Sequence, residues 1–330
     1  MRKVIESVQP FNHFTLRDCF FSALFPALDA LGGDSRATAI LASSYVEYSY
    51  ENSRFVQENK NVPQETLEKL MAEQNIRMQV NFEYQEDIVD FVRKSIDENK
   101  LLMVTLVDSI SYDPQTNKKT DSTAGFRHWI LFYGYDDETE EFYVIDHFFL
   151  ASPIYCKLRM KYEELVRSYK LVTEKFFSKI QELTAIKDVE KPSDLYTKYL
   201  DVWMASRKVW NSDGNPILQY MENIIDVLSR KEKDYIANNI LSLIEDYSRI
   251  SVYYVKEKYV IELIDKNSSL IKSMDCQTKD INSLKKIFFG ISKNNGDMDE
   301  QTVSSLIEIT QKIYDEAVVI ENKIEARDWQ

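Results

Sequence analysis

Few side chains in this chain have types suited to covalent chemistry. Its 330 residues include three cysteines (Cys19, Cys156 and Cys276) and three histidines (His13, His128 and His147). Cys19 falls in the first turn of a helix whose N-cap is Thr15 or Asp18, where exposed amides carry partial positive charge and favour thiolate over thiol. A neighbouring imidazolium would strengthen that bias. Taken alone, a cysteine flanked by Phe20 and Phe21 reads as a packed thiol, because free cysteine is among the most buried residue types. Cys156 and Cys276 are read as packing residues.

The segment RHWILFYGYDDETEEFYVIDHFF, residues 127–149, shifts the balance toward chemistry. Two aromatic and β-branched runs flank an acidic turn, the strongest hairpin signal in the chain. His128 and Asp146 each lie nine residues from Asp137 in the middle of that turn. A regular antiparallel pair then sets them across from each other on one face, with Cβ atoms about 4.5–5.5 Å apart. A carboxylate so placed accepts the Nδ1 proton, fixes the tautomer and leaves Nε2 facing a nucleophile. A bulge that slips the register by one residue would send one of the two to the opposite face. The plain alternative is a structural His–Asp pair. His147 points to the other face if the strand continues, which favours packing.

The elements that must carry these residues follow from periodicity. Thr15 to Leu31 reads as a helix, with Phe21, Leu24, Phe25, Leu28 and Leu31 on one stripe, Pro26 kinking or splitting it, and Gly32 and Gly33 ending it. Helical patterns follow at 36–57 and 64–74, a strand at 76–84, an amphipathic helix at 86–100, a buried strand at 101–109 and a polar loop at 111–125. Beyond the hairpin, 161–170 is helical, and 171–186 fits helix or strand equally. Past Pro192 the pattern is helical almost throughout, at 194–210, 216–229, 232–264, 266–290 and 299–325. The expected architecture is an α+β domain over residues 1–188 and an all-helical domain over 189–330.

Composition removes several classes. A formal net charge of −13 works against binding nucleic-acid phosphates or anionic membrane surfaces. No apolar h-region follows the opening MRKVIESVQPFNHF, and no apolar run reaches the length of a membrane span, so a cytoplasmic protein is expected. The odd, widely spaced cysteines support neither a disulfide scaffold nor a zinc ribbon. Dinucleotide and P-loop glycine patterns, GxSxG and HExxH are missing from the sequence, so no cofactor or metal is expected.

The segments DCFFSALFPALDALGG, LLMVTLVDSISYDP and FRHWILFYGYDDETEEFYVIDHFF together resemble the N-terminal domain of the butirosin-biosynthesis acyltransferase family. That family is a branch of the papain-like cysteine-peptidase superfamily, related to the bacteriocin leader peptidases, and the likeness covers about the first 155 to 185 residues. It implies a papain-like fold with Cys19, His128 and Asp146 as a catalytic triad. It further implies an acyl or aminoacyl transfer from a carrier-protein thioester to an amine, of the kind used in nonribosomal peptide and thioamide antibiotic assembly. Leader peptidases carry a Gln six residues before the cysteine as an oxyanion-hole donor, where this chain has His13; Asn12 and Gln9 are nearby substitutes. Asp18 replaces a histidine common in the family, and Asp108, at a strand end, reads as structural.

The resulting expectation is a carrier protein as acyl donor, an amine-bearing small molecule or peptide as acceptor, and no nucleic acid or membrane. CKLRMK (156–161) and NKK (117–119) are candidate basic docking patches, or plain solvated surface. A cysteine peptidase or amidase shares the same triad and differs in letting water resolve the acyl-enzyme. A non-catalytic scaffold is the alternative from another class.

Overall fold

Alternating apolar residues in the first half of the chain pair into one antiparallel sheet, and the helical periodicities of the second half become long helices. The computed structural model describes residues 1–12, 19–60, 62–107, 112–113, 118–119, 127–147, 154–175, 179–186, 195–230, 232–294 and 298–328. In chain order the elements begin with β1 (Arg2–Val4), α1 (Cys19–Ala30), α2 (Ser35–Ser43), β2 (Val46–Glu51), β3 (Arg54–Asn59), α3 (Gln64–Glu73), β4 (Ile76–Asn81) and α4 (Ile88–Asp97). They continue with β5 (Leu101–Val107), β6 (Tyr112–Asp113), β7 (Lys118–Lys119), β8 (Arg127–Asp136), β9 (Glu141–His147), β10 (Tyr155–Lys161), α5 (Tyr162–Lys175) and β11 (Ile180–Ala185). The remaining helices are α6 (Leu195–Trp210), α7 (Pro216–Ser229), α8 (Lys233–Ile264), α9 (Ser269–Lys293) and α10 (Glu300–Glu325). No helix among the described residues is long and apolar enough to cross a membrane.

The chain divides into two units, Met1–Thr38 with Val62–Leu195, and Ala39–Asn61 with Tyr196–Gln330. In the first, the sheet runs in the order β10-β9-β8-β5-β11-β4, every neighbouring pair antiparallel, with β1 beside the far end of β8. One core packs Val104, Ile130, Phe132 and Val144 of the sheet with Val92 of α4 and Leu165 of α5. Asp87 caps α4 by accepting from the Asp90 amide. Helix α1 runs through Pro26 as one element, so the proline does not split it. The open segment 171–186 contains the end of α5 and all of β11, while β6 and β7 pair as a short ribbon inside the expected loop.

The hairpin of β8 and β9 departs from the expected register. Pairing from the turn runs Asp136↔Glu141, Tyr135↔Phe142 and Gly134↔Tyr143, then Phe132↔Val144 and Leu131↔Ile145, so Tyr133 is an extra residue in a β-bulge. The turn is therefore centred between Glu138 and Thr139, not on Asp137. Asp137 instead anchors the turn, its carboxylate accepting from Arg93 of α4 at 2.9 Å and from the Tyr162 hydroxyl of α5 at 2.9 Å. Gly134 beside the bulge lets β1 approach: a Cβ there would stand 2.9 Å from the Lys3 carbonyl oxygen and 3.0 Å from the Val4 Cα.

The second unit is not all helical. Helix α2 stops at Ser43 and the chain forms the β2–β3 hairpin, where a helix to residue 57 was expected. Asn52 and Ser53 make the two-residue turn with φ of 51° and 61°, the left-handed pair that matches strand twist. Arg54 beyond the turn grips the buried Asp246 of α8 in a two-pronged bond of 2.7 and 2.8 Å. Deeper in the unit, the buried Arg207 of α6 bonds Glu257 of α8 and Glu321 of α10, the latter at 2.6 Å, with Trp203 and Trp210 over its guanidinium. Two carboxylates share that cation, and burial, offset only in part by Arg207, pushes Glu257 up to about 7.

Candidate active site

Cys19 is the first residue of α1 and is half-buried. The amides of a first helical turn lack intrahelical acceptors, so they point at whatever stands before the helix. Phe20 then packs edge-on against Trp129 with ring centroids 5.5 Å apart. Because Phe20 follows Cys19 and Trp129 follows His128, this aromatic contact sets the start of α1 against the start of β8.

His128 lies opposite Leu106 of β5, and Asp146 lies opposite Cys156 of β10, so both belong to interior strands. They are 6% and 0% exposed, a burial that makes an unpaired charge costly. His128 Nε2 and Asp146 Oδ1 meet at 2.5 Å. The pairing that the sequence led us to expect is therefore present, through the other ring nitrogen. Continuing the register from Leu131↔Ile145, Asp146 stands across from Ile130, two residues along from His128. The two side chains are diagonal neighbours, about 7–8 Å apart at the backbone, and the far nitrogen Nε2 bridges that gap. The remaining nitrogen, Nδ1, is not engaged by Asp146, and Cys19 is near enough to help hold the imidazole's proton.

Burial alone would lower the pKa of His128. The Asp146 charge, the Asp146 hydrogen bond and the contact with Cys19 outweigh it and raise the imidazole from 6.5 to about 10. His128 is thus an imidazolium across the neutral range. Cys156 is shifted the other way for reactivity, since burial and then the Asp146 charge push its thiol up. An imidazolium in contact with a thiol, held by a buried carboxylate, can keep a thiolate as an ion pair and can pass one proton back and forth.

His147 was expected to turn away, and it does not. It is buried, its ring lies 4.5 Å from that of His128, its backbone amide donates to Asp146 Oδ1 at 2.7 Å, and its Nδ1 stands 3.4 Å from the same oxygen. It is the last residue of β9 and pairs only with Tyr155 of β10, so strict alternation no longer governs it. The nitrogens of His128 and His147 and a carboxylate oxygen of Asp146 lie within 4.8 Å of one another. Among the oxyanion candidates, Asn12 has its amide bonded to the Tyr155 backbone, donating to the carbonyl at 2.9 Å and accepting from the amide at 2.9 Å. It thereby ties the segment before α1 to the His147 end of the sheet. His13 lies outside the described residues, as do Asp18 and Asp108. No protein-family model matches the chain, and no curated protein sequence is similar to it.

Proposed function

We propose that the protein is a cysteine-dependent acyl or aminoacyl transferase with a papain-like first unit, making an amide from a carrier-protein thioester in the assembly of a nonribosomal-peptide-type product. The observation that supports this most is the buried His128, bonded to Asp146 through Nε2 and close enough to Cys19 for the thiol to help raise its pKa. In this reading the Cys19 thiolate attacks the thioester carbonyl, with the backbone amide of Cys19 as an oxyanion donor. The pantetheine thiolate leaves and takes a proton from His128 Nδ1, which becomes a neutral imidazole. The acceptor amine then attacks the acyl-cysteine, its proton returns to Nδ1, and the Cys19 thiolate leaves. Asp146 stays charged throughout and orients the ring. Amide formation from a thioester runs downhill, so this cycle needs no ATP.

Intact-mass spectrometry of the protein mixed with acyl-carrier thioesters tests the reading. The expected result is an acyl adduct on Cys19 that persists in water, disappears on adding the acceptor amine, and is missing from Cys19→Ala. Rapid hydrolysis without amine would favour the peptidase or amidase, and failure to form any adduct would favour the scaffold.

A further inference from the structure

Asp146 has more ligating groups around it than acyl transfer employs. Its Oδ1 lies 2.5 Å from His128 Nε2 and 3.4 Å from His147 Nδ1, and its Oδ2 is buried without a hydrogen-bond partner among the described residues. All three side chains are buried, so the cluster is no chance gathering of surface acids. Cys156 faces Asp146 directly across the β9–β10 pair.

We infer that His128, Asp146 and His147 form a binding site for a divalent cation of the zinc type. Two imidazoles and a carboxylate are a donor set that zinc takes at about 2.0–2.2 Å, with a fourth position left for water or a thiolate. In tetrahedral geometry such ligands stand about 3.3 Å from each other. The His147–Asp146 separation of 3.4 Å already matches this. The His128–Asp146 edge, at 2.5 Å, has to open by about 0.8 Å, or the metal has to use the free Oδ2. Imidazole donors favour Zn²⁺, Co²⁺ or Ni²⁺ over Mg²⁺ and Ca²⁺. The metal replaces the proton that Nε2 and Oδ1 share, and that proton goes to solvent.

A consequence follows that rests on the transferase reading. With the Nε2 lone pair on a metal, the ring keeps its hydrogen on Nδ1 and can no longer accept one from a thiol or an amine. Metal binding then switches acyl transfer off reversibly, and a chelator restores it.

Binding itself is tested without any activity. The full-length chain is titrated with Zn²⁺ against a chromophoric chelator of micromolar affinity, and with Co²⁺ followed by its visible absorption. One metal per chain is expected, bound with release of protons and displaced as the pH falls and the ligands take protons up. His147→Gln should weaken binding at least tenfold, and Cys276→Ser should leave it unchanged. The unmutated protein gives a second measurement that needs no variant: X-ray absorption of the zinc form should report two imidazoles and an oxygen in the first coordination sphere. The inference is overturned if the chelator strips the metal completely, if His147→Gln binds as tightly as the parent, or if the zinc form shows fewer than two imidazoles. Metal binding without any acyl-Cys19 would sink the transferase reading and leave this site standing. An acyl-Cys19 without metal binding would do the reverse.

Discussion

Replacing Asp146 with Asn removes one charge and leaves the side-chain volume nearly unchanged, so it isolates what holds the proton on His128. In the parent protein that imidazole is raised from 6.5 to about 10. At about 1.36 kcal/mol per pKa unit, the shift corresponds to up to about 5 kcal/mol of folding stability. The sign follows from the direction: the folded pKa is above the unfolded one. The contribution is therefore complete below about pH 6.5 and is lost as the pH rises toward 10. In Asp146→Asn only the contact with Cys19 still opposes burial, so the His128 pKa should fall and most of the pH dependence in this window should go with it. Urea unfolding of both proteins at several pH values reads the difference, which should shrink by up to about 5 kcal/mol between pH 6.5 and 10. An NMR titration of the His128 ring gives the same quantity directly, since only three histidines need assigning. A parent imidazole titrating near 6.5, or a stability difference that stays level across the window, would refute the account.

The same site predicts that iodoacetamide at pH 6 labels Cys19 faster than Cys156 or Cys276, and that His128→Ala abolishes the preference; peptide mapping by mass spectrometry reads both. Gly134→Ala should cost about 1–3 kcal/mol in urea unfolding, because its Cβ would press on β1 at 2.9 Å from the Lys3 carbonyl oxygen. In the second unit, Arg207→Met should lose about 3–5 kcal/mol by stranding Glu257 and Glu321 in the interior. Glu257, raised by burial to about 7, binds its proton more tightly when folded, so the parent should lose about 3 kcal/mol between pH 4.5 and 7 and Glu257→Gln should not.

Much of the arrangement was legible in the sequence, because the relevant signals are local. The long helices from α6 to α10 follow from apolar periodicity and their breaks from residues such as Gly214, Asn215 and Pro216, where Asn215 caps α7. The missed elements are those in which another signal covered the pattern. CKLRMK alternates charged and apolar residues with period two, a strand signal, yet its three cations draw a surface-patch reading; it is β10. The run VEYSYENSRFVQEN fits helical spacing over its first residues, while its alternation and the Asn52-Ser53 pair mark a hairpin. β1 has three residues and owes its place to the space beside Gly134, a tertiary effect that no local pattern carries.

The site itself depends on one residue that carries no chemistry. If β8 and β9 kept the register of their turn, Gly134↔Tyr143 would continue to Leu131↔Asp146, and the carboxylate would face away from His128. The extra residue Tyr133 moves the partner of Asp146 from Leu131 to Ile130, and Ile130 has the same parity as His128. A bulge was expected to break the pair; here it is what makes the pair, because the turn is centred between residues rather than on Asp137. The two departures from regular pairing cancel in parity and leave an offset of two residues along the strand. That offset sets the geometry as well, since a diagonal carboxylate is met by Nε2 and leaves Nδ1 unengaged by Asp146. Under the proposed function, the nitrogen that would serve the thiol is thus decided by hairpin register, several residues away from His128 itself.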